Sequence, residues 1–150
     1  MLQLTVAGSP RAQSRPRFAR RGKFVKVYDA PPIKAWKKVL KESLLLQGPY
    51  KMFEGPVAVM LKFRIPRPKS HFSKKGLLSA EGMLNRWPLS KRHGDVDNLA
   101  KAVLDVMTEV GIWKDDALVV GLGVEKEFTP GNRPGDTGGV LILVEPVEYE

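Results

Sequence analysis

The sequence predicts an α/β (α+β) fold in one domain spanning 1–150: a small mixed sheet of about four to five strands, helices packed mainly on one face, and a long basic loop. Three observations carry this expectation. Apolar residues alternate with others in several short runs, clearest at Val57, Val59, Leu61, Phe63 and Ile65, the period of a half-buried strand. Two further runs keep helical spacing. One is Ile33, Trp36, Leu40 and Leu44; the other is Leu99, Ala102, Val103, Val106, Met107 and Val110. Residues 66–92 keep no sustained period.

Taken in order, Leu2, Leu4 and Val6 alternate in a first short strand. Residues 11–21, RAQSRPRFARR, read as a basic loop leading into a possible strand at Phe24–Tyr28. Pro31 and Pro32 suit the first turn of a helix, where the missing amide hydrogen costs nothing, and Gly48–Pro49 ends that helix. The strand at 57–65 turns Ala58, Met60, Lys62 and Arg64 to its other face, and Pro66 stops it. The connection at 66–92 is long for a compact domain. It bears Arg67, Lys69, Lys74, Lys75, Arg86, Lys91 and Arg92, with Phe72 and Trp87 among them. That mix suits phosphate contacts with base stacking, although the plainer expectation is that the two aromatics anchor the loop to the core.

At about 100° per residue, the second helix turns Asp97, Lys101, Asp105 and Thr108 away from its apolar arc. Asp97 suits its N-cap and Gly111 its C-terminal stop. Asp116 then leads into a strand with Leu118, Val120, Leu122 and Val124 on one face. Gly121 and Gly123 fall on the other, where they would permit close backbone approach. A last strand spans about Val140–Val144. There is no internal repeat and no domain boundary.

With 43% apolar and 27% charged residues, the chain is globular in composition. The N-terminus lacks the basic and apolar regions of a cleaved signal peptide, and no run approaches the roughly 20 apolar residues of a membrane span. The absence of cysteine excludes disulfides and thiolate metal sites and suits the cytoplasm. Net charge is +9, but it is unevenly placed. Residues 1–93 hold 21 Lys/Arg against four acids (+17), and residues 94–150 hold four against twelve (−8). A basic field of that kind suits a polyanion such as nucleic acid; solubility or an acidic protein partner would explain it too.

The acidic half concentrates its charge in GDVDNLAKAVLDVMTEVGIWKDD, residues 94–116, with five aspartates and one glutamate against two lysines. Asp95 and Asp97 stand at the entry to the second helix, Lys101 lies one turn on, and Asp115 and Asp116 come where the chain returns toward a strand. If helix and strand run antiparallel, these two ends need not meet; if the connection brings Asp116 to the helix start, three carboxylates converge. Converged carboxylates repel by several kcal/mol unless one is protonated or a cation sits among them. Oxygen ligands, with histidine only at 71 and 93, select a hard ion, Mg²⁺ or Mn²⁺. A metal-activated water beside a basic DNA-binding surface would give phosphodiester hydrolysis. Taken singly, Asp97 reads as a cap, Asp105 as a solvated face residue, and Asp115 and Asp116 as turn punctuation.

Together, the residues of DVDNLAKAVLDVMTEVGIWKDDALV, 95–119, resemble the signature of the RusA family of Holliday-junction resolvases. The family pattern is D-x-D-N-L-x-K, an amphipathic helix, a glycine, an aromatic, then D-D before a strand. Asp95, Asp97, Asn98, Leu99, Lys101, Gly111, Trp113, Asp115 and Asp116 supply it without a gap. The resemblance implies a small α/β homodimer, often encoded by phage or prophage, that resolves four-way DNA junctions by paired incision in recombination and repair. It implies Mg²⁺ or Mn²⁺ held by Asp95, Asp97 and Asp116, with Lys101 as a fourth catalytic residue. It also requires Asp116 to return to the Asp95/Asp97 end. Asp115 is expected to be structural or to support a ligand, and Asn98 to position the helix start or a water. The residues expected to grip DNA are Arg15, Arg17, Arg20, Arg21, Arg67, Lys69, Lys74, Lys75, Lys91 and Arg92. A flap or other branched-DNA nuclease with the same site, and a non-catalytic DNA-binding module, are the alternatives.

Overall fold

The computed structural model describes residues 1–14, 17–130 and 136–148, with only the backbone at Arg17. Among these residues nine elements follow one another: β1 (Leu2–Ala7), β2 (Arg17–Arg21), β3 (Phe24–Tyr28), α1 (Pro31–Gln47), β4 (Val57–Ile65), α2 (Ala80–Leu84), α3 (Val96–Glu109), β5 (Val119–Phe128) and β6 (Gly139–Pro146). The main sheet has four strands in the order β1-β6-β4-β5. It is mixed: β4 and β5 run parallel, and the other pairs antiparallel. Parallel neighbours need a long crossover, and here that crossover contains α3.

The alternation in β4 does what period two demands. Val57, Val59, Leu61, Phe63 and Ile65 are all buried, as are Val140, Ile142 and Val144 of β6 and Leu4 and Val6 of β1. On this face lie α1, through Ile33, Trp36, Leu40 and Leu44, and α3, through Leu99, Ala102, Val103, Val106 and Met107. The other face has no helix over it among the described residues, and Met60 there is 42% exposed. No helix among the described residues is long and apolar enough to cross a membrane.

Four local expectations need correction. Residues 17–21 are not loop: they pair antiparallel with 24–28 in a separate two-stranded ribbon. Its two-residue turn, Gly22–Lys23, puts Gly22 at φ +61°, the conformation such turns require of glycine. Basic side chains hid the strand because the ribbon buries neither face and so carries no apolar alternation. Second, Leu118, Val120, Leu122 and Val124 do not share one buried face. The register slips between Val57↔Val119 and Ala58↔Gly121, leaving Val120 as an extra residue, 64% exposed, as a bulge does.

Third, α3 is capped by Asp95 and not Asp97, which lies in the first turn. The Asp95 side chain makes no capping hydrogen bond; only its carbonyl engages, accepting from Leu99 N at 2.9 Å. Fourth, 66–92 is not shapeless, although its pieces are too short to show a period. It holds α2, whose cap Ser79 accepts from Gly82 N, and two single 3-10 turns at Lys69–His71 and Lys91–His93. At Gly121 and Gly123 side chains approach instead of backbone: an added Cβ at Gly123 would stand 2.8 Å from the Met60 Cε, and one at Gly121 3.7 Å from the Ala58 Cβ.

Arg67 fastens that segment. Its Nε donates to Thr129 O at 2.7 Å, and its Nη1 to Gly82 O at 2.7 Å and Asn85 O at 2.9 Å. Its guanidinium also lies 5.4 Å from the centre of the buried Phe128 ring. Charged hydrogen bonds of this kind contribute about 1.5–3 kcal/mol each at most, and not additively. Arg67→Ala is therefore expected to lower stability by about 2–3 kcal/mol. Thermal denaturation would show it, and limited proteolysis would cut first within 66–92. Unchanged melting would remove the clamp.

Candidate nuclease site at the entry to α3

The approach to α3 is set by Gly94. Its φ is +87°, and a Cβ there would come 2.5 Å from Ala12 Cβ, so only glycine lets the 9–14 segment lie against the helix start. Gln13 N then donates to Asn98 O at 2.9 Å. Between these segments opens a cleft of about 620 Å³, whose lining includes Arg11, Gln13, Lys91, Arg92, Asp95 and Asn98. The cations of the basic half thus ring one of the aspartates. Gln13 Oε1 is buried in the cleft wall with no hydrogen-bond partner in the structure.

From the other side, Lys126 Nζ donates to Gly94 O at 2.9 Å. This pins the far end of β5 to the start of α3. Nearby, the rings of His71 and His93 stand edge-on to Phe128. The His93 pKa is lowered first by burial, then by the charges of Arg92, Lys126, His71 and Arg11. It therefore stays uncharged near neutral pH, adding no fixed cation beside Asp95.

Asp95, Asp97 and Lys101 are exposed at this end. Asp116 is also exposed, but it opens a 3-10 turn just before β5. Since Lys126 near the C-terminal end of β5 meets Gly94, α3 and β5 run antiparallel. The ten residues of β5 then put Asp116 on the order of 20–25 Å from the helix entry, at about 3.3 Å per residue. Asp116 does not return to Asp95 and Asp97 within one chain. Among the described residues no group of three or more His, Cys, Asp or Glu could hold a metal. The path is fixed by Gly111, at φ +85°, and by Trp113. That indole is fully buried and donates to Thr108 Oγ1 at 2.7 Å, so the chain turns under the C-terminal end of α3.

The remaining acids divide plainly. Asp115 accepts from Ala117 N at 2.8 Å and caps the turn before β5, a structural role. Asp105 lies 3.8 Å from Lys37 of α1 and is only part-exposed, so it ties two helices instead of merely facing solvent.

Of the residues expected to grip DNA, Lys91 and Arg92 line the cleft. Lys69, Lys74 and Lys75 are exposed on the long segment, and Arg20 and Arg21 on the ribbon. Arg15 and the Arg17 side chain lie outside the described residues. Arg67 is committed to the backbone, as above. Sequence reasoning missed Lys126; a lysine paired with Phe63, on the core-facing row, was its signal. Phe72 is half-buried, as an anchor should be, whereas Trp87 is 57% exposed.

The family model for endodeoxyribonuclease RusA matches residues 7–143. The chain belongs to the RusA endodeoxyribonuclease family. An uncharacterized protein of Bacillus subtilis (strain 168), YqaN, is 37% identical over 133 residues, 88% of this chain and 91% of its own length. A crossover junction endodeoxyribonuclease RusA of Escherichia coli (strain K12) is 48% identical over 44 residues, 29% of this chain and 37% of that protein. Membership of the RusA family makes the chain a nuclease of DNA by descent and gives the exposed aspartates of α3 a chemical context.

Proposed function

We propose that this protein is a Mg²⁺- or Mn²⁺-dependent endonuclease that resolves four-way DNA junctions by paired incision, in recombination and repair within a bacterial or phage-infected cytoplasm. The observation that supports it most is the helix entry, where Asp95 lines a cleft with Arg11, Lys91 and Arg92 and Asp97 lies exposed in the first turn of α3. The donor set fits a hard ion, since Mg²⁺ takes one or two carboxylates and completes its shell with water and phosphate. Bound there, the ion would supply a water activated for attack on phosphorus.

The chain's own residues do the rest. Asp95 and Asp97 would hold the ion, and the Asp95 side chain makes no capping hydrogen bond that would compete. Lys101, one turn along, offsets charge building on the phosphate oxygens. Lys91 and Arg92 seat the backbone at the cleft mouth, and the basic segments select shape more than sequence.

Asp116 enters this scheme through a second copy. Two incisions call for two sites, and a two-fold axis perpendicular to β5 reverses the partner's strands. The partner's Asp116 end then lies toward this chain's Asp95 end. The apolar surface for such pairing is Met60 on the uncovered face, together with Val120 and Leu122 along the edge strand β5.

Labelled junction, flap and linear duplex, each incubated with and without Mg²⁺, test the activity. Metal-dependent paired cuts in the junction alone are expected. Preferred cutting of the flap would make it a nuclease of other branches, and binding without cutting in any metal would make it a DNA-binding module. For the grip, charge reversal at Lys74 or Lys75 should flatten the log–log salt dependence of junction binding by about 0.9 for each phosphate no longer neutralised. An unchanged slope would place the DNA elsewhere.

A further inference from the structure

Of the three tryptophans, Trp36 and Trp113 are buried and Trp87 is 57% exposed. Nothing about its neighbours is loose. The carbonyl of Arg86 accepts from Phe128 N at 2.8 Å, fastening the residue before it to the end of β5. Pro88, the residue after it, is buried. The indole is thus held out between two anchored positions. Its Arg86 neighbour lies over one face, the guanidinium carbon 5.4 Å from the ring centre, and is itself held by Glu127 at 3.6 Å. Such a cation–π contact stiffens an exposed ring, and leaves the opposite face to a ligand.

The indole also lines a cleft of about 350 Å³ together with Lys62, Arg86, Glu125, Lys126 and Glu127. Three cations against two carboxylates is nearly balanced. Glu127 is further bracketed by Lys62 at 3.6 Å and Arg64 at 3.8 Å. A phosphate would meet two carboxylates here, whereas a neutral heteroaromatic ring finds a flat apolar platform with donors and acceptors at its rim. Lys126 itself belongs to the core-facing row of β5, where its amine donates to Gly94 O at the helix entry.

We propose that Trp87 is a stacking platform for an unpaired or unstacked nucleobase of branched DNA, seated in this cleft along the edge strand β5. The proposal rests on the nuclease reading and adds to it how the branch point is recognised. A paired, stacked duplex offers no such base; a branch point does. A protein surface seated on Trp87 and the exposed Leu84 and Leu89 is the competing occupant, as is a second copy of this chain.

Because the other two indoles are buried, acrylamide quenching of intrinsic fluorescence reports Trp87. In EDTA, which blocks cleavage, a four-way junction should shield it while a fully paired linear duplex should not. Trp87→Ala should weaken junction binding about tenfold, the order expected for one stacked base, leave duplex binding unchanged, and melt as the wild type does. Trp87→Phe should retain most of the affinity. Wild-type junction affinity in Trp87→Ala would overturn the proposal and leave the nuclease reading standing. So would unshielded fluorescence at saturating junction, or shielding that grows with protein concentration alone. Failure to bind or cut any branched DNA would overturn both.

Discussion

Asp97→Asn is expected to abolish metal-dependent cleavage of a four-way junction, by more than about a hundredfold. Even partners one step removed from a metal ligand are worth roughly 10–100-fold, and a ligand is worth more. The fold should survive. Asp97 lies exposed in the first turn of α3 and makes no cap, so its loss removes only the favourable interaction of a carboxylate with the helix N-terminus, about 0.3–1 kcal/mol. Junction binding in EDTA should be as tight as in the wild type or tighter, because a negative charge leaves a surface that faces phosphates. Asp95→Asn and Asp116→Asn should behave alike. Asp105→Asn loses only a 3.8 Å pairing with Lys37 and should cut nearly normally. Asp115→Asn should too, since asparagine can accept from Ala117 N in the same way. Gel analysis of labelled strands separates these outcomes. Full cleavage by Asp97→Asn, or loss of cleavage in Asp105→Asn with its melting unchanged, would sink the assignment.

The fold was legible wherever burial on one side imposed a period. β4 and α1 bury the residues their spacing marked, α3 buries all of its own but the part-buried Val110, and Gly111 stands at the helix stop with φ +85°. What escaped were elements that bury little. β2 has Phe18 exposed among basic residues and so shows no one-sided pattern, although its partner at Phe24–Tyr28 was expected as a strand, and α2 is shorter than two turns. The bulge at Val120 could not be read because one extra residue leaves the composition of the run unchanged.

The site was legible as a motif but not as a place. The family resemblance implied Asp95, Asp97 and Asp116, yet their separation depends on whether β5 runs with or against α3, and no local pattern encodes that. Lys126 decided it, through a single long-range bond to Gly94. Trp87 was misjudged for a related reason: aromatic residues in a loop usually anchor it, and here the anchors are its neighbours.

Mixing two dead variants should restore cleavage, and this is the sharpest consequence of the separation between Asp116 and the α3 entry. In a pair formed from one Asp97→Asn chain and one Asp116→Asn chain, a site built from Asp95 and Asp97 of one copy with Asp116 of the other is defective twice on one side and whole on the other. Were each site contained in one chain, both would be defective. After unfolding and refolding an equal mixture, about half the dimers are mixed, each with one working site, so nicking should return to about a quarter of the wild-type level under random pairing. Paired incision should stay absent, because no dimer holds two working sites. The mixture tests the arrangement independently of which surface joins the copies. That surface is probed by Met60→Lys, which puts a charge on the uncovered face, and by light scattering, where about twice the 16.7 kDa chain mass is expected at micromolar concentration. A wild-type monomer that still makes paired cuts would defeat the dimer. A dimer whose mixed variants stay inactive, while each variant still binds junction, would return Asp116 to its own chain and require β5 or the turn before it to move when DNA binds.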